Sequence, residues 1–335
     1  MKMNKKLCSI ALTSIAIVLF LILTLPTTSA ATEQNTASAA KYAYITNSGS
    51  TTVSVIDITT NKVTAKINVG KQPYGVAVNP AGTKVYVSKD KSGSVSVIDT
   101  ATNQVTATVK VGKHPWGVAV SPDGTRVYVV NEGSKTVSVI DTEKNKVTAT
   151  VTVGKYPCGV AVNPEGTKVY VTNTLANTVS VIDTAKNKAT ATIKVGNLPT
   201  GVAVNPEGTR VYVTNEYDIS VIDTAKNKVT ATIKVGKYPW GVAVNPAGTK
   251  VYVANYGDGT ISVINTATNK VTDTSKVGSC PFGVAFSPDG TKAYVAKETS
   301  GAVSVINTAT NKATAKVWVG KKPVAFGQFI GSAAI

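Results

Sequence analysis

Histidine is almost absent from this 335-residue chain: His114 stands alone. A metal held by several imidazoles is thereby excluded, because zinc sites take two or three of them or replace them with thiolates. Thiolates are scarce as well. Of the three cysteines, Cys8 heads an apolar run, which leaves Cys158 and Cys280 for the rest of the chain. Acids are in the minority, 18 against 35 basic residues for a net charge of +17, a balance that favours anionic polymers or envelope surfaces as partners and is silent on fold. No Asn-x-Ser/Thr sequon occurs, so N-glycosylation has no acceptor, while the Thr-rich segments leave O-glycosylation open. Disorder is excluded too, since 43% of residues are hydrophobic and only 16% charged, enough to bury a large core.

Long apolar runs are limited to one. After the basic start "MKMNKK", Leu7 to Leu25 is nearly all apolar and ends at Pro26, with small residues "TTSAA" beyond. This reads as a secretory signal cleaved after Ala30 or Ala39, or as a retained anchor, since the run approaches the ~20 residues that span a bilayer. Either way the expected location is extracellular or in the cell envelope, with membrane contact only through residues 7–25 if they are kept. Cys8 sits at the start of the run and not at its end, which speaks against a lipid-modified cysteine. Residues 1–40 are thus set apart as signal or anchor plus a short linker.

What fills the remainder is repetition. "VGKQPYGVAVNPAGTKVYVS" returns as "VGKHPWGVAVSPDGTRVYVV", "VGKYPCGVAVNPEGTKVYVT" and three further copies. Gly70, Gly112, Gly154, Gly196, Gly236, Gly278 and Gly320 open the units at a spacing of 42 residues, or 40 where "TNEYDISVI" replaces a longer form. Four runs per unit, "GVAV", "KVYVT", "TVSVIDT" and "KVTATIKV", are β-branched or alternating, and "NPxGT" and "xxNK" supply turns between them. Each unit therefore reads as a four-stranded antiparallel meander, with strands A to D, and a 40–45-residue period of this kind marks propeller blades. Tyr44, Tyr86, Tyr128, Tyr170, Tyr212, Tyr252 and Tyr294 mark seven B-strands, whereas "GVAV" or "GVAF" A-strands number six. The first blade begins directly at strand B, so the degenerate "VAFGQF" at 324–329 is expected to supply its A-strand and close the ring, which removes both unpaired edges. The prediction is an all-β, seven-bladed β-propeller over 41–330, four antiparallel strands per blade, followed by a tail at 331–335.

The recurring "VYVTN", "VSVIDT" and "PxGVAVNPxGT" resemble the YVTN-type β-propeller repeat of archaeal surface-layer proteins and related bacterial envelope proteins, over 41–330. The resemblance implies a seven-bladed propeller on the cell surface, acting in the envelope layer, adhesion or protein contact. No polycystic-kidney-disease-like domain follows it, a departure from some surface-layer members.

Strand parity sorts the loops onto two faces. The A–B and C–D turns carry "NPxGT" and "DTxxNK", whose Pro, Gly and Asp satisfy turn geometry. Asp57, Asp99, Asp141, Asp183 and Asp223 are accordingly structural, and Asn265 and Asn307 at the equivalent places fit hydrogen bonding better than catalysis. The other face varies. Its D–A loops, "GKxPx", bring Lys71, Lys113, Lys155, Lys237 and Lys321 together with His114, Tyr156 and Tyr238 before the proline and Tyr74, Trp116, Trp240 and Phe282 after it. Basic residues interleaved with aromatics at a channel mouth make this the candidate binding site, and the same aromatics could equally plug the channel and pack blade to blade. Asp90, Glu132, Glu216, Asp218, Asp258 and Glu298 in the B–C loops partly offset the lysines.

The expected function is a non-enzymatic scaffold and interaction module binding other envelope proteins or cell-surface polymers, with no cofactor and no metal. A second reading, to which related DNA-binding envelope propellers add weight, is an anionic polymer or single-stranded nucleic acid at the basic face. Lactonase or lyase chemistry, known on similar scaffolds, would need a carboxylate converging with His114 in the channel. Cys158 and Cys280 fall in the third and sixth D–A loops, far apart in a seven-membered ring, so two free thiols are expected where a bridge needs Cα atoms within about 7 Å. Trp318 replaces a lysine on an outermost D-strand, where it would cover an edge or mark a contact.

Overall fold

A computed structural model describes residues 41–331, and the signal or anchor reading for residues 1–40 lies outside them. The described chain forms seven antiparallel sheets, one of three strands and six of four, each in simple sequence order. In the first blade β1 (Tyr42–Asn47), β2 (Thr52–Asp57) and β3 (Lys62–Asn68) follow one another directly. The second blade is β4 (Pro73–Val78), β5 (Lys84–Lys89), β6 (Ser94–Asp99) and β7 (Gln104–Lys110), the A to D pattern that the later blades repeat.

Position within a blade explains composition. B- and C-strands are sandwiched between neighbouring blades, so nearly every residue of β5 and β6 is buried; the outer β7 alternates exposed Thr or Lys with half-covered Val or Ala. The core lies between blades: Tyr86, Val95 and Val97 of the second pack against Val118, Val127, Val129 and Ile140 of the third. Burying such residues contributes roughly 1.5–3 kcal/mol each. Polar staples cross the same seams. The basic residue that opens a B-strand donates to a C–D turn carbonyl of the next blade, as Arg126 Nη1 does to Thr184 O at 2.6 Å and Lys292 Nζ to Ile58 O at 2.8 Å. Nearer the axis, Ser88 Oγ donates to Trp116 O at 2.6 Å and Thr172 Oγ1 to Thr200 O at 2.7 Å. Several lysines and arginines behind the net charge are thus committed to holding blades together.

The C-terminal segment closes the ring beside β1, though not as a regular strand. Antiparallel bridges join Asn47 to Pro323 and Ala43 to Ile330, and Tyr44 N donates to Phe329 O at 2.9 Å. Seven steps from 323 to 330 face only four from 47 to 43, so the segment bulges; five of the other blades absorb one extra residue there, as between Pro73 and Val76. The surplus reaches sideways, Val76 N donating to Phe326 O at 3.0 Å and forming a parallel bridge between Gly75 and Phe326. Ala325 and Gly327, with φ of 43° and 122°, make that path possible.

Candidate functional site

Each D–A loop is built around a glycine, a left-handed residue and a proline. Gly112 N donates to Asn131 Oδ1 at 3.0 Å, and Gly154 N to Asn173 Oδ1 at 2.9 Å. A Cβ on Gly112 would stand 2.6 Å from Asn131 Cγ, so the close approach of the asparagine requires glycine there. The second and seventh blades put Lys89 and Lys297 in place of that asparagine, and Gly70 and Gly278 turn to φ of 100° and 107° against the lysine stems. Burial, aided by Lys110 and Lys316 respectively, holds both ammonium groups below the usual lysine range.

The residue before each proline is left-handed in all seven loops: Gln72, His114, Tyr156, Leu198, Tyr238, Cys280 and Lys322 have φ between 48° and 52°. Non-glycine side chains pay about 1–2 kcal/mol for this region, and a residue before proline is otherwise biased to extended backbone. The B–C turn enforces it, because Glu132 N and Gly133 N donate to the carbonyls of His114 and Lys113 at 3.0 and 3.1 Å. Five of these side chains project outward, Tyr156 being 50% and Tyr238 48% exposed, whereas Gln72 and Cys280 are half-buried. His114 is exposed as well, its Nδ1 2.9 Å from Asp90 Oδ1.

The residue after each proline does the opposite and turns into the channel. Tyr74 stacks on Trp116 with centroids 4.5 Å apart, Trp116 on Trp240 at 6.0 Å, and Trp240 on Phe282 at 4.6 Å. Phe326 meets Trp240 and Phe282 edge-on, and Cys158 and Val324 complete the plug. Burial pushes the Cys158 thiol far up and, with help from Asp90, Glu298 and Glu132, raises the Tyr74 hydroxyl. Burial likewise raises Glu132, next to Asp90.

Of the sequence-selected residues, Tyr74, Trp116, Trp240 and Phe282 are therefore brought together, with their faces packed on one another. Lys71, Lys113, Lys155, Lys237 and Lys321 are exposed, one per loop, around the same end. Tyr156 and Tyr238 stand outside the plug. Leu198, at the variable place before its proline, is exposed beside them, and Leu175 and Tyr217 of the B–C loops, which carry no signal in the sequence, are exposed as well. Among the described residues, five of the six exposed large hydrophobic side chains thus lie on the loops of three consecutive blades, and Tyr217 touches Tyr238 at a centroid distance of 5.5 Å. The sixth, Trp318, is 65% exposed on the outer rim, with Lys316 Nζ 3.8 Å above its ring. Cys158 and Cys280 are free thiols. Among the described residues no three His, Cys, Asp or Glu side chains gather as metal ligands would.

Residues 3–127 match the family model of YNCE-like β-propellers, and residues 183–278 that of the seven-bladed β-propeller lactonases. No curated protein matches the chain. Among solved structures, it resembles a chain of Kuenenia stuttgartiensis hydrazine synthase, with a TM-score of 0.73 and 25% identity over 80% of this chain and 93% of that one. A functionally unknown protein from Desulfotomaculum acetoxidans gives 0.74 with 17% identity, over 85% and 99% of the two chains, a likeness of fold alone. By its sheets, its closure between β1 and residues 323–330 and both family matches, the chain is a seven-bladed β-propeller.

Proposed function

We propose that the chain is an exported, non-enzymatic interaction module of the cell envelope, which engages a protein partner through the outward side chains of its D–A loops. One observation carries this reading. Where turn geometry alone calls for a left-handed residue, in the C–D turns, all seven copies use asparagine, from Asn61 to Asn311. At the equally left-handed position before proline none uses asparagine or glycine, and bulky side chains are held there at a cost of about 1 kcal/mol each. Strain kept for exposed Tyr and Leu side chains is strain kept for something outside the chain. The gathering of exposed Tyr156, Leu175, Leu198, Tyr217 and Tyr238 on the loops of three consecutive blades supports a protein partner, since exposure scattered over the whole surface would need no explanation. The signal-like pattern of residues 1–30 and the surface-layer-type repeat support the envelope as its place.

A second reading, binding of an anionic polymer or single-stranded nucleic acid, is favoured by the five exposed loop lysines. It is weakened by the stacking of Trp116 and Trp240 on each other, which leaves fewer free faces for bases. A lactonase-like activity is favoured by the match over 183–278, but the carboxylate that meets His114, Asp90, does so at an exposed loop and not in the channel.

The test is capture of partners from envelope extracts by the wild type and by a Tyr156→Asn, Leu198→Asn, Tyr238→Asn variant. The expected result is lost capture with stability unchanged or raised. Equal recovery of every partner, or a variant less stable than the wild type, overturns the proposal, the latter because it would mark the side chains as packing. A steep fall of binding with salt, rescued by none of the aromatic positions, would select the polymer reading.

A further inference from the structure

At the end of the channel opposite the aromatic plug, the A-strands enclose a cavity of about 570 Å³. Phe326 belongs to both features: it packs against Trp240 and Phe282 in the plug and lines the cavity. The channel is thus blind, open only between the A–B turns. That volume lies within the range of small-molecule pockets.

The lining is mainly apolar. Solvent-facing positions on the outer D-strands are mostly Thr or Lys, whereas the half-exposed A-strand residues that line the channel, Val162, Val204 and Val244 among them, are Val or Ala, and these valines also pack against the clusters between blades. Phe286 and the C-terminal segment cover one side, so the seven-fold pattern is broken into a pocket with distinct walls. No ionisable side chain lines it. Its asparagines are already committed to their own turns: Asn205 Nδ2 donates to Glu207 Oε2 at 2.6 Å and to Thr209 Oγ1 at 3.0 Å, and its Oδ1 accepts from Arg210 N at 2.7 Å. Ser287 is similarly engaged with Asp289 at 2.5 Å and Lys292 N at 3.0 Å. A charged ligand would lie there without a counter-charge and at heavy desolvation cost, whereas apolar surface would leave water and meet a single exposed polar side chain, Gln328.

We infer that this blind, uncharged channel cavity is a binding site for a neutral apolar small molecule, such as an alkyl chain or fused-ring hydrocarbon, distinct from the partner face at the other end.

The experiment titrates the full chain with N-phenyl-1-naphthylamine, a neutral dye that brightens in apolar surroundings, with decanol as competitor. The expected result is saturable binding of one dye per chain, displaced by decanol. Val204→Trp, which fills the cavity, and the near-isosteric pair Val162→Thr with Val204→Thr, which makes it polar, should each weaken binding by about tenfold or more. Melting curves confirm the fold, and the threonine pair, changing shape least, keeps the test alive if the tryptophan does not fit. The triple asparagine variant of the opposite face should bind dye normally, so failure of one proposal is distinguishable from failure of the other. Absence of saturable binding, or dye affinity retained in both cavity variants, overturns the assignment. So does tighter dye binding on removal of residues 332–335, which would make the chain's own end the occupant.

Discussion

Phe329→Ala tests the closure of the ring. Phe329 is fully buried and belongs to the cluster formed by Ala43, Ile45 and Val55 of the first blade together with Val303 and Val305 of the seventh, so its ring fills the seam where the two ends of the chain meet. Truncating a buried Phe to Ala costs about 3–5 kcal/mol through lost transfer energy and the cavity left behind. In a domain of this size that corresponds to a fall in Tm of roughly 6–20 °C. Far-UV circular dichroism and the fluorescence of Trp116 and Trp240 should report the same midpoint, because those tryptophans sit in the plug that Val324 and Phe326 of the same segment complete. Lys321→Ala, at an exposed position of the preceding loop, serves as the control and should stay within about 0.5 kcal/mol of wild type. A Phe329→Ala chain as stable as wild type would refute the reasoning, as would one whose tryptophan signal shifts while its sheet signal does not. Deleting residues 321–335 should be more damaging still, since it also removes the bonds from Tyr44 N, Ser48 N and Val76 N.

Gly117→Ala should destabilise by about 2 kcal/mol or more in urea titration, because the new Cβ would lie 2.5 Å from the Cys158 carbonyl oxygen of the next blade. Gly82→Ala, with no atom within 4 Å but φ of 69°, should cost only about 1 kcal/mol. Acid stability is set in part by Asp57, Asp99, Asp141, Asp183 and Asp223, whose carboxyls are held below the usual range by hydrogen bonds from their own turns. Their contribution is present above the unfolded value near 3.8 and is lost as pH falls through the lower folded values. Changing all five to Asn, as positions 265 and 307 already are, should flatten the acid limb of a stability–pH profile and lower the plateau above about pH 5 by the contribution removed, leaving its slope there unchanged. Toward a thiol reagent, peptide mapping should find Cys280 labelled in the native chain and Cys158 protected until unfolding, since Cys158 is buried with its thiol pushed up.

Much of the fold is legible in the sequence because each blade repeats its own instructions. Gly, Pro and Asn fall at a fixed period wherever backbone geometry allows little else, and Val, Thr and Tyr alternate between them. The count of six A-strands against seven B-strands even requires the closure by residues 324–329. Less legible was its form, a bulged segment bonded to two neighbours, since the extra residues in "VAFGQFI" carry no turn signature of their own. Strand parity placed the lysines and aromatics on one face. It did not separate His114 from Trp116, which lie two residues apart and yet point outward and into the plug, because a left-handed backbone at 114 reverses the chain's direction.

The amino-acid sequence by itself determined the number of blades, the strands within them and the face on which each loop emerges, because these follow from local periodicity and turn chemistry. Only the tertiary structure decided which aromatics stack on one another, which stay exposed under strain, and that the channel's other end remains an open apolar pocket. Those outcomes depend on seven separate strands meeting at one axis, where space is shared among residues up to some 250 positions apart, from Tyr74 to Phe326, and no local pattern encodes how it is divided.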